Sequence, residues 1–278
     1  MIYLILAIVS SMLVSVTMRL SGSSVKNNIS MLAVNYCMCT ALSALFAGTT
    51  DFFPQMEGIG FAGFLGVISG ALYLGSFVLL QWNIRVNGVV LPATFMKLGV
   101  LVPTLLSIVL FGETPGALQL LGMAGAVCAI LLIGLDKGQS RAKSSAGLVI
   151  LLLGGGLTDA TSKFYEEWGN PAIKDHYLFY VFFCAFLYAA ILCIVKKERV
   201  TRWDALFGVL VGIPNYLCSR FLLLSLADLP AVVVYPTFSV GTIILITLIG
   251  VFFFRERLLR RQTAAMGIIL VALALLNM

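Results

Sequence analysis

The chain has 278 residues, 60% hydrophobic and 11% charged, with a formal net charge of +6. Soluble domains carry roughly a quarter charged residues, so this chain lacks the polar surface to cover a water-facing globule, and its apolar runs reach the ~20 residues a bilayer span needs. The composition points to a polytopic all-α membrane protein. It excludes a β-barrel, which would alternate in short segments, and it gives the basic residues of the short loops a topological meaning rather than a nucleic-acid one.

The N-terminal MIYLILAIVSSMLVSVTM has no basic leader and no cleavage-like end, so it is expected to stay as span one, about Ile2 to Met18. Span two follows at about Ser30–Gly48, span three at Gly58–Trp82 and span four at Gly88–Phe111. After the turn Gly112–Gly116, span five runs to about Leu135, and the polar stretch 136–145 reads as a cytoplasmic linker. The layout then repeats. Span six is expected at Ala146–Lys163, a polar loop at Phe164–His176, span seven at Tyr177–Val195, span eight at Trp203–Leu226, span nine at Ala231–Phe254, and span ten ends near Asn277.

Val89–Glu113 reads VVLPATFMKLGVLVPTLLSIVLFGE; shifted by 143 positions, Val232–Glu256 reads VVVYPTFSVGTIILITLIGVFFFRE. Tyr73 and Tyr216, Gln119 and Gln262, and Met123 and Met266 keep the same offset. This is an internal duplication, with one five-helix repeat over 1–135 and a second over 146–278. Five spans per half is odd, so the second repeat enters the membrane from the opposite side and the repeats are inverted. Setting aside Lys97 and Arg220, which lie inside spans, fourteen of the sixteen other Lys and Arg fall in the odd-to-even loops. Lys163 and Lys174 are the two others. The positive-inside rule then places those loops in the cytoplasm and both termini outside.

Ten spans, five-plus-five inverted repeats and the Phe111-Gly112-Glu113 and Phe254-Arg255-Glu256 turns with Thr-Phe segments upstream resemble the drug/metabolite transporter superfamily, EamA-like branch. The resemblance covers almost the whole chain. It implies that spans three, four, eight and nine line a central cavity and that five and ten lie outside it. Small multidrug-resistance relatives carry a Glu in their first span; span one here has Ser10, Ser11, Ser15 and Thr17 and no carboxylate, which argues against proton-coupled export of cationic drugs.

A charge within the bilayer costs at least ~2.5–3.5 kcal/mol on insertion scales and so lines a cavity or has a partner. Lys97 is near the middle of span four, with Thr94 and Thr104 near its face and Pro92 and Pro103 freeing backbone groups on either side. The alternative is a structural ion pair. Its twin position is Val240, so the repeats share a frame but not a site. Arg220 in span eight shares a face with Tyr216, with Asn215 and Ser219 close by. An Arg there can bind a carboxylate or phosphate in two-pronged fashion, or can be held by helix ends or by Asp159. Asp159 has Lys163 one turn on, so a local pair, a counter-ion for Lys97 or Arg220, and a proton site all stay open. Asn35, Tyr36, Gln81, Trp82, Asn83, Tyr235 and Thr237 are further candidates for cavity lining, with Trp82 and Trp203 equally suited to the interface. Glu113 and Glu256 read as turn residues, and Gly70 and Gly75 as an unwound, closely packed stretch.

Six cysteines lie in apolar runs without a CxxC pair, Cys37 and Cys39 on different faces of one helix, and read as small packing residues. The lone histidine, His176, is expected in a loop, and no His-based zinc site or triad is visible. No phosphate-binding Gly loop, paired-aspartate prenyl-transfer motif or intramembrane Gly-x-Gly-Asp is present. The expectation is a non-enzyme without cofactor or metal: a secondary transporter of the inner membrane for an anionic or zwitterionic metabolite, such as an amino or organic acid. Its partners would be the substrate and the bilayer, with no nucleic acid, as a monomer or homodimer. A multidrug or organic-cation exporter is the alternative, and a non-transporting membrane subunit a further one.

Overall fold

The computed structural model describes residues 1–21, 24–25, 28–48, 51–52, 54–87, 92, 95–96, 98–134, 145–253, 264, 267–268, 270–272 and 274–275. Among them the chain is all-helical: α1 (Ile2–Ser21), α2 (Asn28–Ala47), α3 (Ile59–Asn87), α4 (Leu101–Phe111), α5 (Ala117–Gly134), α6 (Ser145–Trp168), a short 3-10 turn (Pro171–Ile173), α7 (Lys174–Val195), α8 (Arg202–Asp228) and α9 (Ala231–Phe252). Six stretches, in α1, α2, α3, the 3-10 turn with α7, α8 and α9, are long and apolar enough to cross a membrane. The expected turn 255–261 with Glu256, the linker 136–145 apart from Ser145, and much of span ten lie outside the described residues.

Contacts group the chain into two compact units, each drawing on both sequence halves. One holds Ile2–Leu74 and Phe164–Leu224; the other holds Met1, Gly75–Lys163 and Ser225–Met278.

In the first unit two Gly-x-x-x-Gly pairs bring backbones together. Gly66 and Gly70 of α3 lie against α7: a Cβ at Gly66 would stand 2.5 Å from the Tyr180 Cβ, and one at Gly70 2.8 Å from the Ala185 nitrogen. Gly208 and Gly212 of α8 lie against α2, where a Cβ would stand 2.6 Å from the Val34 Cβ and 2.7 Å from the Met38 Cβ, respectively. Without a hydrophobic drive between helices in lipid, such small residues permit the close packing that holds spans together. Gly75, by contrast, has nothing within 4 Å, and α3 runs unbroken past it, so the expected unwinding is absent.

The expected loop at Phe164–His176 is mostly helix. α6 continues to Trp168, and Asn170 caps the 3-10 turn by accepting from the Ala172 N–H at 3.0 Å. Pro171 stands at the first position of that turn, where its missing N–H costs nothing, and α7 starts at Lys174. This unit fastens the stretch before α3 by three backbone carbonyls. His176 Nε2 donates to Asp51 O (3.2 Å), Tyr180 to Phe52 O (2.6 Å) and Asn170 to Glu57 O (2.9 Å), while Phe52 stacks on Phe179 with centroids 4.8 Å apart.

In the second unit span four is not one regular helix. Pro103 has no N–H for the Gly99 carbonyl, which instead accepts from Val102 at 2.9 Å in a tighter turn over Gly99–Val100 before α4 begins. That carbonyl faces α6 at Gly156, where a Cβ would stand 2.4 Å from it and 2.6 Å from the Val102 Cβ. Ser76 and Thr158 meet at 3.2 Å, and Asn83 donates to Gly147 O (3.0 Å) and Leu79 O (2.9 Å), tying the end of α3 to α6. Asn83 is fully buried in this tie. Trp82 and Trp203 are exposed, as interface residues would be.

Gly156→Ala is expected to cost about 1–3 kcal/mol by overpacking, while Gly75→Ala, with open space around it, is expected to be neutral or slightly stabilising. Thermal melts of the purified variants in detergent check the pair; equal melting temperatures would remove the Gly99–Gly156 approach as a constraint.

Candidate functional site

In the first unit, α2, α7 and α8 place a polar cluster against aromatic rings. Arg220 Nη1 donates to Asp175 Oδ1 in the first turn of α7, and to the Tyr216 hydroxyl at 3.0 Å. Its guanidinium lies over the Phe46 ring of α2, 4.5 Å from the centroid, the arrangement in which a cation is drawn to a ring face. Tyr216 stacks on the same Phe46 (5.6 Å) and meets Phe182 edge-on (6.0 Å). The i, i+4 spacing read from the sequence therefore does bring Tyr216 and Arg220 together. The carboxylate on Arg220 is that of Asp175, however, where the helix ends and Asp159 had been the candidates. The side chains of Arg220 and Asp175 keep 20% and 31% of their surface, so the pair is reachable rather than sealed.

Tyr165 and Tyr177 lie flat on one another beside Asp175, with centroids 3.9 Å apart, and Tyr165 donates to Asn170 O at 2.8 Å. Burial, then Tyr177 and Asp175, push the Tyr165 phenol upward, so it stays a neutral donor. One turn and more from Arg220, Asn215 Nδ2 donates to Asn35 Oδ1 (3.2 Å) and contacts Cys39 Sγ (3.7 Å), and that thiol reaches Gly212 O (3.3 Å). Asn35 is thus a buried crosslink between α2 and α8. Tyr73 meets Ser219 at 3.2 Å and the Phe182 ring at 5.8 Å. The twinned tyrosines, Tyr73 and Tyr216, therefore converge on one ring.

In the second unit Gly112 ends α4 with φ +67°, a left-handed conformation that glycine adopts without cost, and so aims Glu113 at the start of α9. The first N–H groups of a helix have no partner within it. Glu113 takes two of them, Ala231 N on Oε1 and Val232 N on Oε2, each at 3.0 Å. Lys163, buried, adds an ion pair to Oε1 at 3.0 Å and lies 5.5 Å from the Phe111 centroid. Tyr235 donates to the Asp159 carbonyl at 2.8 Å. Lys163 thus serves a link across helices that its i, i+4 spacing from Asp159 did not disclose. A cavity of about 10 Å³ among α4, α5 and α9, lined by Thr104, Met123, Pro236 and Ser239, is the size of one water.

Of the residues singled out by sequence, Asn35, Asn215, Tyr216 and Arg220 fall in the first unit and Asp159 and Tyr235 in the second. Lys97 and Thr94 lie outside the described residues. Sequence reasoning missed Asp175 and Phe46. The signal for Asp175 was Asn170-Pro171, a helix-start pattern that moves Asp175 from a loop into the first turn of α7. All six cysteines are free thiols, with Cys37 exposed and Cys39 buried on opposite faces of α2.

No family model matches the chain. A protein of Haemophilus influenzae, described only as uncharacterized, is 26% identical over 275 residues, covering 92% of this chain and 90% of that protein. A solved crystal structure superposes with a TM-score of 0.77 at 14% identity, over 99% of this chain and 94% of the other. It shares the fold. Together these comparisons carry no assignment of substrate.

Glu113→Ala would remove the acceptor of two helix N–H groups and a carboxylate partner of the buried Lys163 at once, an expected loss of about 3–5 kcal/mol. Glu113→Gln should be milder, since an amide oxygen still accepts one N–H. Thermal unfolding followed by intrinsic fluorescence separates the two; equal losses would mean that the charge, and not the cap, carries the whole interaction.

Proposed function

We propose that this chain is a secondary transporter of a small anionic or zwitterionic metabolite, built on the inverted five-plus-five plan of the drug/metabolite transporter superfamily, EamA-like branch. The observation that carries the reading is Arg220. It is an accessible guanidinium set on aromatic rings inside a helix long and apolar enough to cross a membrane. An arginine held there lines a cavity or has a partner; Asp175 engages Nη1, part of the guanidinium stays accessible, and its planar fork matches a carboxylate.

The exchanged contacts of the first unit support the inverted plan. Span three packs on span seven through Gly66 and Gly70, and span eight on span two through Gly208 and Gly212. The two glycine pairs lie 142 positions apart. Swapping each span for its twin in the other half turns one contact into the other, as a two-fold relation between repeats requires. Alternating access would then rock the repeats about a midplane site, and Lys97 is the second cation that the sequence offers for it. The bacterial-type inner membrane, with both termini outside, is the location that the loop charges favour.

An organic-cation exporter is the second reading. Asp175 beside Phe46, Tyr216 and Phe182 is the feature in its favour, since carboxylate and ring faces suit a cation.

Flux of labelled amino acids, organic acids and organic cations into proteoliposomes tests both. The expectation is uptake of an amino or organic acid above protein-free vesicles. It should fall at least about tenfold in Arg220→Gln and Lys97→Met, the loss of one charge-assisted contact, while circular dichroism and gel filtration stay unchanged. Retained uptake in Lys97→Met or Arg220→Gln refutes the role of that residue, and flux of cations alone moves the assignment to the second reading.

A further inference from the structure

We propose that Asp175 is a resident ligand of Arg220: a carboxylate built into the chain that an incoming carboxylate displaces, and that thereby sets a preference for zwitterions over simple anions. The inference rests on the reading of Arg220 as a substrate contact.

The geometry has three parts. First, the Asp175 contact and the Tyr216 contact both engage Nη1, one nitrogen of a group with five N–H donors. Asp175 therefore holds one edge of the fork instead of closing it in the two-pronged manner of a purely structural pair. Second, both side chains remain partly accessible, so displacement needs no opening of a sealed core. Third, Asp175 stands on a fixed base. It is in the first turn of α7, next to His176, whose ring fastens Asp51 O, and beside the stacked Tyr165 and Tyr177. The carboxylate that leaves Arg220 stays at the site.

Selectivity follows from charge. A simple carboxylate that takes the guanidinium leaves Asp175 as an unpaired anion facing the newcomer, and like charges repel. A zwitterion gives its carboxylate to Arg220 and its ammonium to Asp175, so both residues of the pair keep an opposite charge. Asp175 is in this sense a positioning and specificity residue, acting by what it withholds from Arg220.

Chemical labelling tests this without need of the natural substrate. The purified full chain in liposomes is treated with phenylglyoxal, and modification of Arg220 is followed by peptide mass spectrometry, with the exposed Arg199 and Arg202 as internal references. Acetate and glycine at equal concentration serve as probes. In the native chain Arg220 should label slowly, glycine should slow it further, and acetate should not. In Asp175→Asn, labelling should rise about tenfold, the loss of one charge-assisted hydrogen bond, and acetate should now protect. Asp175→Glu should restore the slow rate.

Equal labelling of Arg220 in the native chain and Asp175→Asn overturns the proposal. So does equal protection by acetate in both, or protection by neither probe in the variant. Should Asp175→Asn not fold, the native chain decides: glycine must protect and acetate must not. These readouts require no flux, so they can hold while Arg220→Gln transports normally. In that case the resident-ligand role stands and the transport role of Arg220 falls.

Discussion

Most polar groups that enter the apolar interior of this chain are satisfied by the chain itself, and the start of α9 shows how far that constraint reaches. Two helix N–H groups take both oxygens of Glu113, and the charge so introduced is met by a buried lysine from α6. The cap, the counter-charge and the left-handed glycine that aims the carboxylate are one device. A bare N-terminus or an unpaired carboxylate in that position would each cost several kcal/mol in a medium without water. The same rule explains the tight turn at Gly99: removing a donor with Pro103 does not leave the carbonyl idle, since it accepts from Val102 instead, and the projecting oxygen then requires a glycine opposite.

Much of this frame was legible in the sequence, because long apolar runs, prolines and glycines act locally. The ends of α2, α5, α7, α8 and α9 fall within a few residues of where apolarity alone puts them. What was not legible were the partners. Glu113 looked like a turn residue because its ligands are backbone N–H groups 118 and 119 positions away, which no side-chain pattern reveals. Asp175 was hidden for the opposite reason. Its neighbours Lys174 and His176 made the segment look like polar loop, although a capped proline turn had already begun the helix.

The charges change meaning once their partners are known. Counting Lys97 and Arg220 against Asp159 suggested a site with excess positive charge. In the structure Arg220 carries its own carboxylate and Lys163 carries another. On the proposal that Arg220 meets a solute, its compensated pair with Asp175 selects less by net charge than by the order in which charges are arranged along that solute. That shifts the weight within the transport reading from simple anions towards dipolar ions.

The duplication shows the same division between frame and site. Glycine pairs at near-constant offset recur because helix packing is a backbone matter, and two repeats of one frame need the same close approaches. The twinned tyrosines also recur, and both reach Phe182. Their described partners differ: Tyr216 accepts from Arg220, while Tyr73 meets Ser219. The positions 143 residues before Arg220 and Asp175 are Phe77 and Leu32, so the charged pair was placed in one repeat alone.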